Sequence, residues 1–303
     1  MSFSQVKDNL YEFSLDYLFC VKCHSELELE TLVESGQISE GFLRCAKCGL
    51  GFPIIYGIPI LWNDFTGYLS NRPSLGGDLF LGAKTDKMKS FIKKTLGMIH
   101  KNPNDVAVIE KRWSDIYKTN RNSKFYSKIK KTLNKARTNL ALEHGCSIGH
   151  ITQHLADNND FAFGIDKSFY AVIDAKKAKQ KNLDFFVADS LEQPFGKTKF
   201  GVILALNIFE LIEPKPLLKL LAEQIDGNGV LIFSDPYDYE RGQRSVKEPI
   251  HAYSLRKELG RLGFALSKET REPSFIPWNL ELNDRASLNY LVDLVFATKP
   301  QKK

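Results

Sequence analysis

Nowhere in the 303 residues do eighteen apolar residues follow one another, the minimum for a helix that crosses a bilayer, so no membrane span is expected. The opening MSFSQVKDNLYEFSLDYLF lacks a basic run ahead of an apolar core, which excludes the pattern of a secretory signal, and the chain reads as cytoplasmic. Internal repeats and low-complexity tracts are also missing, which excludes solenoid and disordered classes. Cysteine is scarce, at five residues, too few to staple a chain of this length. What is present is 43% hydrophobic residues, enough to bury the core of one large domain and a small one.

Acidic residues are scarce in one segment. The formal charge is +6 overall, yet Lys84 to Arg137 holds sixteen Lys and Arg against four Asp and Glu, so the basicity is local. Ahead of it, NRPSLGGDLFLG carries one Pro and three Gly and reads as loop. Helical spacing follows in Met88, Phe91, Ile92, Leu96 and Ile99. It recurs in Ile109, Trp113, Ile116 and Tyr117, and again in Phe125, Ile129, Leu133 and Ala136, predicting three helices. The lysines on their outer faces are read as solvated, with an RNA backbone or an anionic membrane as the alternative partners.

Four of the cysteines form Cys20-x-x-Cys23 and Cys45-x-x-Cys48, two knuckles separated by twenty-one residues. That spacing predicts a structural zinc site with four thiolate ligands and no open position for substrate; surface dithiols or disulfides are the alternative. A module of roughly 50 residues has a physical need for such a cross-link, because its core alone is small. The stretch CAKCGLGFPIIYGIPILW resembles the small zinc-ribbon activator subunits that partner tRNA, rRNA and protein methyltransferases, over about residues 15–63. The resemblance implies that the partner is fused to the same chain, so that no separate activator is needed.

From Thr138 the pattern alternates. TNLALEHG, FAFGID, LDFFVAD, KFGVILALN and GVLIFSD read as strands, and Gly149 to Asn158, Ser168 to Lys181 and Lys215 to Ile225 as helices between them. FALSKET and YLVDLVFAT follow as strands joined by a long loop with Pro and Trp, the last strand in antiparallel sense. The expected fold is α/β, a doubly wound, mostly parallel seven-stranded sheet with an N-terminal zinc ribbon. The expected domains are the ribbon at 1–62, a linker with basic amphipathic helices at 63–137, and the α/β domain at 138–303.

LEHGCSIGH closes the first of these strands and opens the first helix, where a doubly wound sheet binds its ligand. It lacks the third glycine of the dinucleotide fingerprint and the Lys and Ser or Thr of a P-loop. It resembles motif I of the S-adenosylmethionine-dependent methyltransferases with a Rossmann-like sheet: Glu143, Gly145, Ser147 and Gly149 at alternating positions, with Ser147 where glycine is commonest. Asp166 ends the second strand twenty-three residues after Glu143, and Asp189 the third strand twenty-three further on. The resemblance implies that Glu143 attracts the methionine ammonium, Asp166 accepts from the ribose hydroxyls, Asp189 accepts from the adenine amine, and Asn207 lies near the cofactor. Singly, each acidic residue is also an ordinary strand terminus or helix N-cap. Cys146 reads as a small buried filler.

No NPPY-type tetrapeptide ends the fourth strand, which argues against amide methylation of the kind that uses it. The polar excursion SDPYDYERGQRSVKEPIHAYSL follows the fifth strand, at the end of the sheet where an acceptor sits. Asp235, Tyr237 and His251 are the candidates there for acceptor binding or proton transfer, with a plain polar turn as the alternative. The excursion, together with IPWNLELNDRASLNYL, is similar to small-molecule methyltransferases of the mercaptohistidine N-methylating type, with Trp278 and Tyr290 equally readable as core. The reading is an S-adenosylmethionine-dependent methyltransferase with a small-molecule acceptor and N- or S-methylation. An RNA or protein methyltransferase that docks through ribbon and basic helices, and a non-catalytic cofactor-binding scaffold, are the alternatives.

Overall fold

The computed structural model describes residues 10–34, 36–99, 104–134, 136–240 and 246–301. A short helix α1 (Glu12–Leu15) precedes four strands, β1 (Glu28–Glu34), β2 (Ile38–Arg44), β3 (Gly51–Ile55) and β4 (Ile58–Leu61). Helices α2 (Phe65–Ser70), α3 (Pro73–Gly82), α4 (Asp86–Met98), α5 (Val106–Thr119) and α6 (Lys124–Leu133) follow. Then the chain alternates: β5 (Leu140–His144), α7 (His150–Ala156), β6 (Phe161–Asp166), α8 (Phe169–Ala175), β7 (Leu183–Ala188), β8 (Phe200–Leu206), α9 (Pro214–Gln224) and β9 (Ile225–Asp235). It ends with α10 (Ala252–Arg261), β10 (Ala265–Leu266), β11 (Ile276–Asn283) and β12 (Ala286–Thr298). No helix among the described residues is long and apolar enough to cross a membrane.

Two compact units emerge. The first takes the chain up to Asp115 with Ser147–Gly149 and Ile165–Gly196; the second takes Ile116–Cys146, His150–Gly164 and Lys197 onward.

In the first unit, β1 to β4 form an antiparallel meander. Tyr56 and Gly57 join β3 to β4 with φ of 55° and 67°, the two left-handed residues of a tight hairpin whose twist matches its strands. Phe42, Phe52, Ile54 and Ile58 are buried along the meander. β4 then pairs in parallel with β7, Ile60 opposite Val187 and Leu61 opposite Ala188. Within this unit Lys176 and Asp184 form a buried ion pair, and the Ser14 hydroxyl donates to the same carboxylate at 2.6 Å. That carboxylate thus ties α1 to β7.

The Pro- and Gly-containing stretch expected as loop is instead helix α3. Pro73 sits in its first turn, where a locked φ and a missing N–H cost nothing. Gly76 is a packing glycine: a Cβ there would stand 2.5 Å from Leu96 Cδ2 of α4. Helix α2, also unforeseen, starts where Asp64 Oδ1 accepts from the Gly67 N–H at 2.9 Å. Helix α4 follows its expected period, with Met88 and Ile92 buried and Thr85 as N-cap.

In the second unit β5, β8 and β9 run parallel. β12 joins β9 in antiparallel sense, from Asp293 opposite Asp235 to Thr298 opposite Val230, as the pattern of the last strand led one to expect, and β10 pairs with its end. The result is an α/β arrangement with a mixed sheet. The stretch expected as a loop before the last strand forms β11, paired with the first half of β12. Alternating burial of Trp278 and Leu280 against their neighbours makes it a strand despite Pro277. α10 is a further addition, inside the polar excursion. Residues 241–245 of that excursion, and 100–103 and 135 of the basic segment, lie outside the described residues.

Candidate cofactor site and cysteine cluster

In the first unit, Ser147 and Asp166 meet. The Ser147 N–H donates to Asp166 Oδ2 at 2.9 Å and the Ser168 N–H to Oδ1 at 2.8 Å. A carboxylate has about four lone-pair positions, so one on each oxygen is left for two further donors, which is what a pair of ribose hydroxyls requires. Burial raises the Asp166 pKa above the usual carboxylate value, against the opposing pull of these two N–H groups, Lys167 and Arg72. Arg72 itself is held by Glu110 through a two-pronged contact of 2.7 and 3.0 Å, both side chains buried. Gly149, at φ 71°, lies so close to its surroundings that a Cβ would be 2.5 Å from Phe185 Cζ.

Asp189 follows β7, and its Oδ1 caps the next turn by accepting from the Leu191 N–H at 2.8 Å. Beside it stands Glu192, whose carboxyl is pushed up to about 7 by burial and by the Asp189 charge. Its Oε2 is buried with no hydrogen-bond partner. An orphaned acceptor next to a second carboxylate fits a ligand that brings an N–H donor, such as an exocyclic amine.

In the second unit, Glu143 lies next to last in β5, almost fully buried, and the Thr152 hydroxyl of α7 donates to its Oε2 at 2.5 Å. Gly145 has φ 67°, and a Cβ there would be 2.5 Å from Ile208 Cγ2. Cys146 is buried, as expected of a filler. Asn207, left-handed at φ 55°, accepts from the Ser234 hydroxyl at 2.9 Å and donates its backbone N–H to the Ser234 carbonyl at 2.6 Å.

Asp235 ends β9 fully enclosed. Its Oδ2 accepts from the Phe209 N–H at 3.0 Å and its Oδ1 from the Tyr237 N–H at 2.7 Å, so it fixes the exits of both β8 and β9. Burial pushes its pKa up to about 7. The Tyr237 hydroxyl donates to Asp293 Oδ2 at 2.8 Å, and Arg256 grips the same carboxylate at 2.7 and 2.9 Å. His251 is exposed at the head of α10, its ring 6.0 Å from that of Tyr237 and 5.6 Å from that of Tyr239.

The four paired cysteines converge: the sulfurs of Cys20, Cys23, Cys45 and Cys48 all lie within 4.8 Å of one another, and none is in a disulfide. The two knuckles repeat one backbone pattern. Cys20 donates its N–H to the Ser25 carbonyl and Cys45 to the Leu50 carbonyl, while His24 and Gly49 bond back to the cysteine carbonyls. Thiolates around one tetrahedral zinc stand about 3.8 Å apart, given Zn–S bonds of about 2.3 Å. The cluster fits that group.

Sequence spacing singles out the carboxylates, and the fold adds side chains around them that the spacing does not signal. Glu192, Thr152 and the Arg72–Glu110 pair are ordinary polar residues in the sequence, and only folding brings them to Asp189, Glu143 and Asp166. The nearest signal was the small distance in sequence between Asp189 and Glu192.

Residues 142–233 match the family model described as a methyltransferase domain. A search of curated proteins returned no match. Among solved structures the chain is similar to the YcgJ protein of Bacillus subtilis, at 13% identity over 58% of this chain and 98% of that one, TM-score 0.47. It is similar to magnesium protoporphyrin IX methyltransferase of Synechocystis PCC 6803 with bound S-adenosylhomocysteine, at 15% identity over 62% and 92%, TM-score 0.44. It is also similar to a chain of the complex between the Haloferax volcanii Trm112 methyltransferase activator and a candidate methyltransferase, at 14% identity over 55% and 84%, TM-score 0.42. By class the chain is an S-adenosylmethionine-dependent methyltransferase, with an α/β Rossmann-like fold and a mixed sheet.

Proposed function

We propose that residues 138–303 transfer the methyl of S-adenosylmethionine to the nitrogen or sulfur of a small molecule. Residues 1–62 serve as a zinc ribbon in place of a separate activator subunit, and residues 63–137 as the connecting helices. When bound, the donor supplies an electrophilic methyl on a sulfonium. Asp166 takes the ribose through its two spare lone-pair positions, Asp189 and Glu192 take the adenine amine, and Glu143, held by Thr152, faces the methionine ammonium. Gly145 and Gly149 leave the room that backbone approach requires. Asn207 and Asp235 shape the ends of β8 and β9, Tyr237 fixes the turn after β9, and His251 offers the acceptor a polar contact. Cys20, Cys23, Cys45 and Cys48 hold one structural zinc.

The observation that carries this reading is Asp166, which keeps acceptor capacity while the Ser147 backbone fixes its orientation. Calorimetry with S-adenosylmethionine and S-adenosylhomocysteine on metal-replete protein tests it. Binding of both at one site is expected, and Asp166→Ala should cost on the order of 2 kcal/mol, about 30-fold in affinity. Absence of heat with either ligand overturns the reading.

A second reading, with RNA or a protein as acceptor, is favoured by the sixteen basic residues against four acidic between Lys84 and Arg137. Labelled methyl donor incubated with macromolecules, and separately with the low-mass fraction of a cell extract, decides between them. Label confined to nuclease- or protease-sensitive material ends the small-molecule proposal.

A further inference from the structure

In the first unit, helices α2, α3 and α5 each bond to the segment that follows Asp166. Tyr68 of α2, 1% exposed, donates its hydroxyl to the Lys167 carbonyl at 2.9 Å. Asp78 of α3 accepts from the Tyr170 hydroxyl at 2.7 Å, and Ser114 of α5 donates to Asp174 Oδ2 at 2.8 Å. The bonds to Tyr170 and Asp174 hold the body of α8. The bond from Tyr68 holds the peptide ahead of it.

That peptide joins Lys167 to Ser168, and both of its polar ends are engaged. Its carbonyl accepts from Tyr68, while its N–H, that of Ser168, donates to Asp166 Oδ1 at 2.8 Å. In a planar trans peptide the C=O and N–H point in opposite directions, so turning one turns the other. A hydrogen bond on the carbonyl also polarises the N–H and strengthens its hold on the carboxylate. Tyr68 is itself fixed in place. The Arg72 guanidinium lies 4.2 Å from the centre of its ring and donates to its carbonyl at 3.3 Å, and the Trp62 ring lies 4.8 Å from it. Burial raises the pKa of the phenol, so the hydroxyl stays protonated as a donor.

We propose that Tyr68 is a positioning residue for the methyl donor: its hydroxyl fixes the Lys167–Ser168 peptide, and that peptide aims Asp166 at the two ribose hydroxyls. This rests on the assignment of Asp166 to the ribose in the methyltransferase reading, and it adds α2 to the cofactor site. Without the phenol hydroxyl the peptide can turn about the bonds that flank it, and the Ser168 N–H leaves Oδ1. The backbone then holds Asp166 only through the Ser147 N–H on Oδ2. A carboxylate tethered at one oxygen has to be ordered by the ligand, which lowers affinity. The loss falls on the ribose and leaves the adenine and methionine ends untouched.

Calorimetry on the full chain compares Tyr68→Phe with Tyr170→Phe, which deletes the same hydroxyl from a bond that holds α8 and not the peptide. The ligands are S-adenosylhomocysteine and its 2′,3′-dideoxy analogue, which lacks both ribose hydroxyls. Tyr68→Phe should bind S-adenosylhomocysteine about fivefold more weakly than the wild type, the worth of one hydrogen bond. It should bind the dideoxy analogue as the wild type does. Tyr170→Phe should bind both ligands as the wild type does, although each variant loses a hydrogen bond and should melt at a lower temperature. Unchanged S-adenosylhomocysteine affinity in Tyr68→Phe overturns the proposal. An equal loss for both ligands also overturns it, because Tyr68 would then support the fold at large and not the ribose carboxylate. A wild-type chain that binds neither ligand would remove the methyltransferase reading, and this inference with it.

Discussion

Ser147 occupies a position that costs it conformational energy. Its φ of 48° is left-handed, which disfavours any residue with a Cβ by roughly 1–2 kcal/mol. The conformation persists because it turns the Ser147 N–H onto Asp166. Ser147→Gly should therefore keep the hydrogen bond and shift stability by no more than about 1 kcal/mol in the favourable direction, the relieved strain being offset by the greater freedom of glycine in the unfolded chain. Ser147→Val, branched at Cβ, should lose roughly 2 kcal/mol or more. Thermal denaturation of the two variants checks this; a glycine variant less stable than the valine one would refute the account. At this scale the sequence is informative where residue type alone defines the chemistry. Glu143, Asp166 and Asp189 stand out by charge and regular spacing, and the four cysteines by theirs. Thr152 and Glu192 did not stand out, because an ordinary polar residue acquires its meaning from a neighbour that folding supplies.

Elements were legible where one period ruled over many residues. β5, β6, β7, β8 and β9, and helices α4 to α6, lie where alternation and helical spacing put them. The misreadings share one physical cause, tertiary packing overriding a local signal. Gly76 in α3 reads as a breaker until Leu96 is seen lying on it, and Pro277 hides β11 until its pairing with Leu291 of β12 is known. Two predictions belong to elements. The meander continues through β4 into β7, and Asp189 is the next residue after β7. If zinc holds the knuckles, one metal per chain is expected by elemental analysis, and its removal by chelator, or Cys45→Ser, should weaken S-adenosylmethionine binding several-fold as well as lower the melting temperature. Full zinc content and unchanged affinity in Cys45→Ser would contradict both parts. The other concerns α10, which is pinned to β12 by Arg256 on Asp293. Arg256→Leu leaves a buried carboxylate without its cation and should cost roughly 3–5 kcal/mol, read as a shift in the denaturant midpoint at constant slope.

Across the whole molecule, buried titratable groups pull stability in opposite directions over the same pH window. His144 is enclosed as the neutral form against Gln224, and burial pushes its pKa down to about 4 from an ordinary value of 6.5. The unfolded chain therefore takes up a proton that the folded one refuses, so the stability tied to His144 is complete above about 6.5 and is lost as pH falls toward 4. Asp235 is the reverse case: burial raises its folded pKa to about 7, above an ordinary value of 3.8. The folded chain keeps a proton that the unfolded one releases, so the stability tied to Asp235 is present below about 4 and is lost as pH rises to about 7. At 1.36 kcal/mol per pKa unit each contribution is on the order of 3–4 kcal/mol, and between pH 4 and 7 the two nearly cancel in the wild type. Replacing one of them should expose the other. Asp235→Asn forfeits one backbone hydrogen bond at every pH, but relative to wild type it should grow more stable as pH rises from 4 to 7, by on the order of 3 kcal/mol. His144→Asn should show the opposite trend, gaining on wild type as pH falls through the same range. Urea unfolding of the three proteins at pH 4, 5, 6 and 7 reads both slopes, and parallel curves for Asp235→Asn and wild type would mean that Asp235 is ionised in the fold throughout this range.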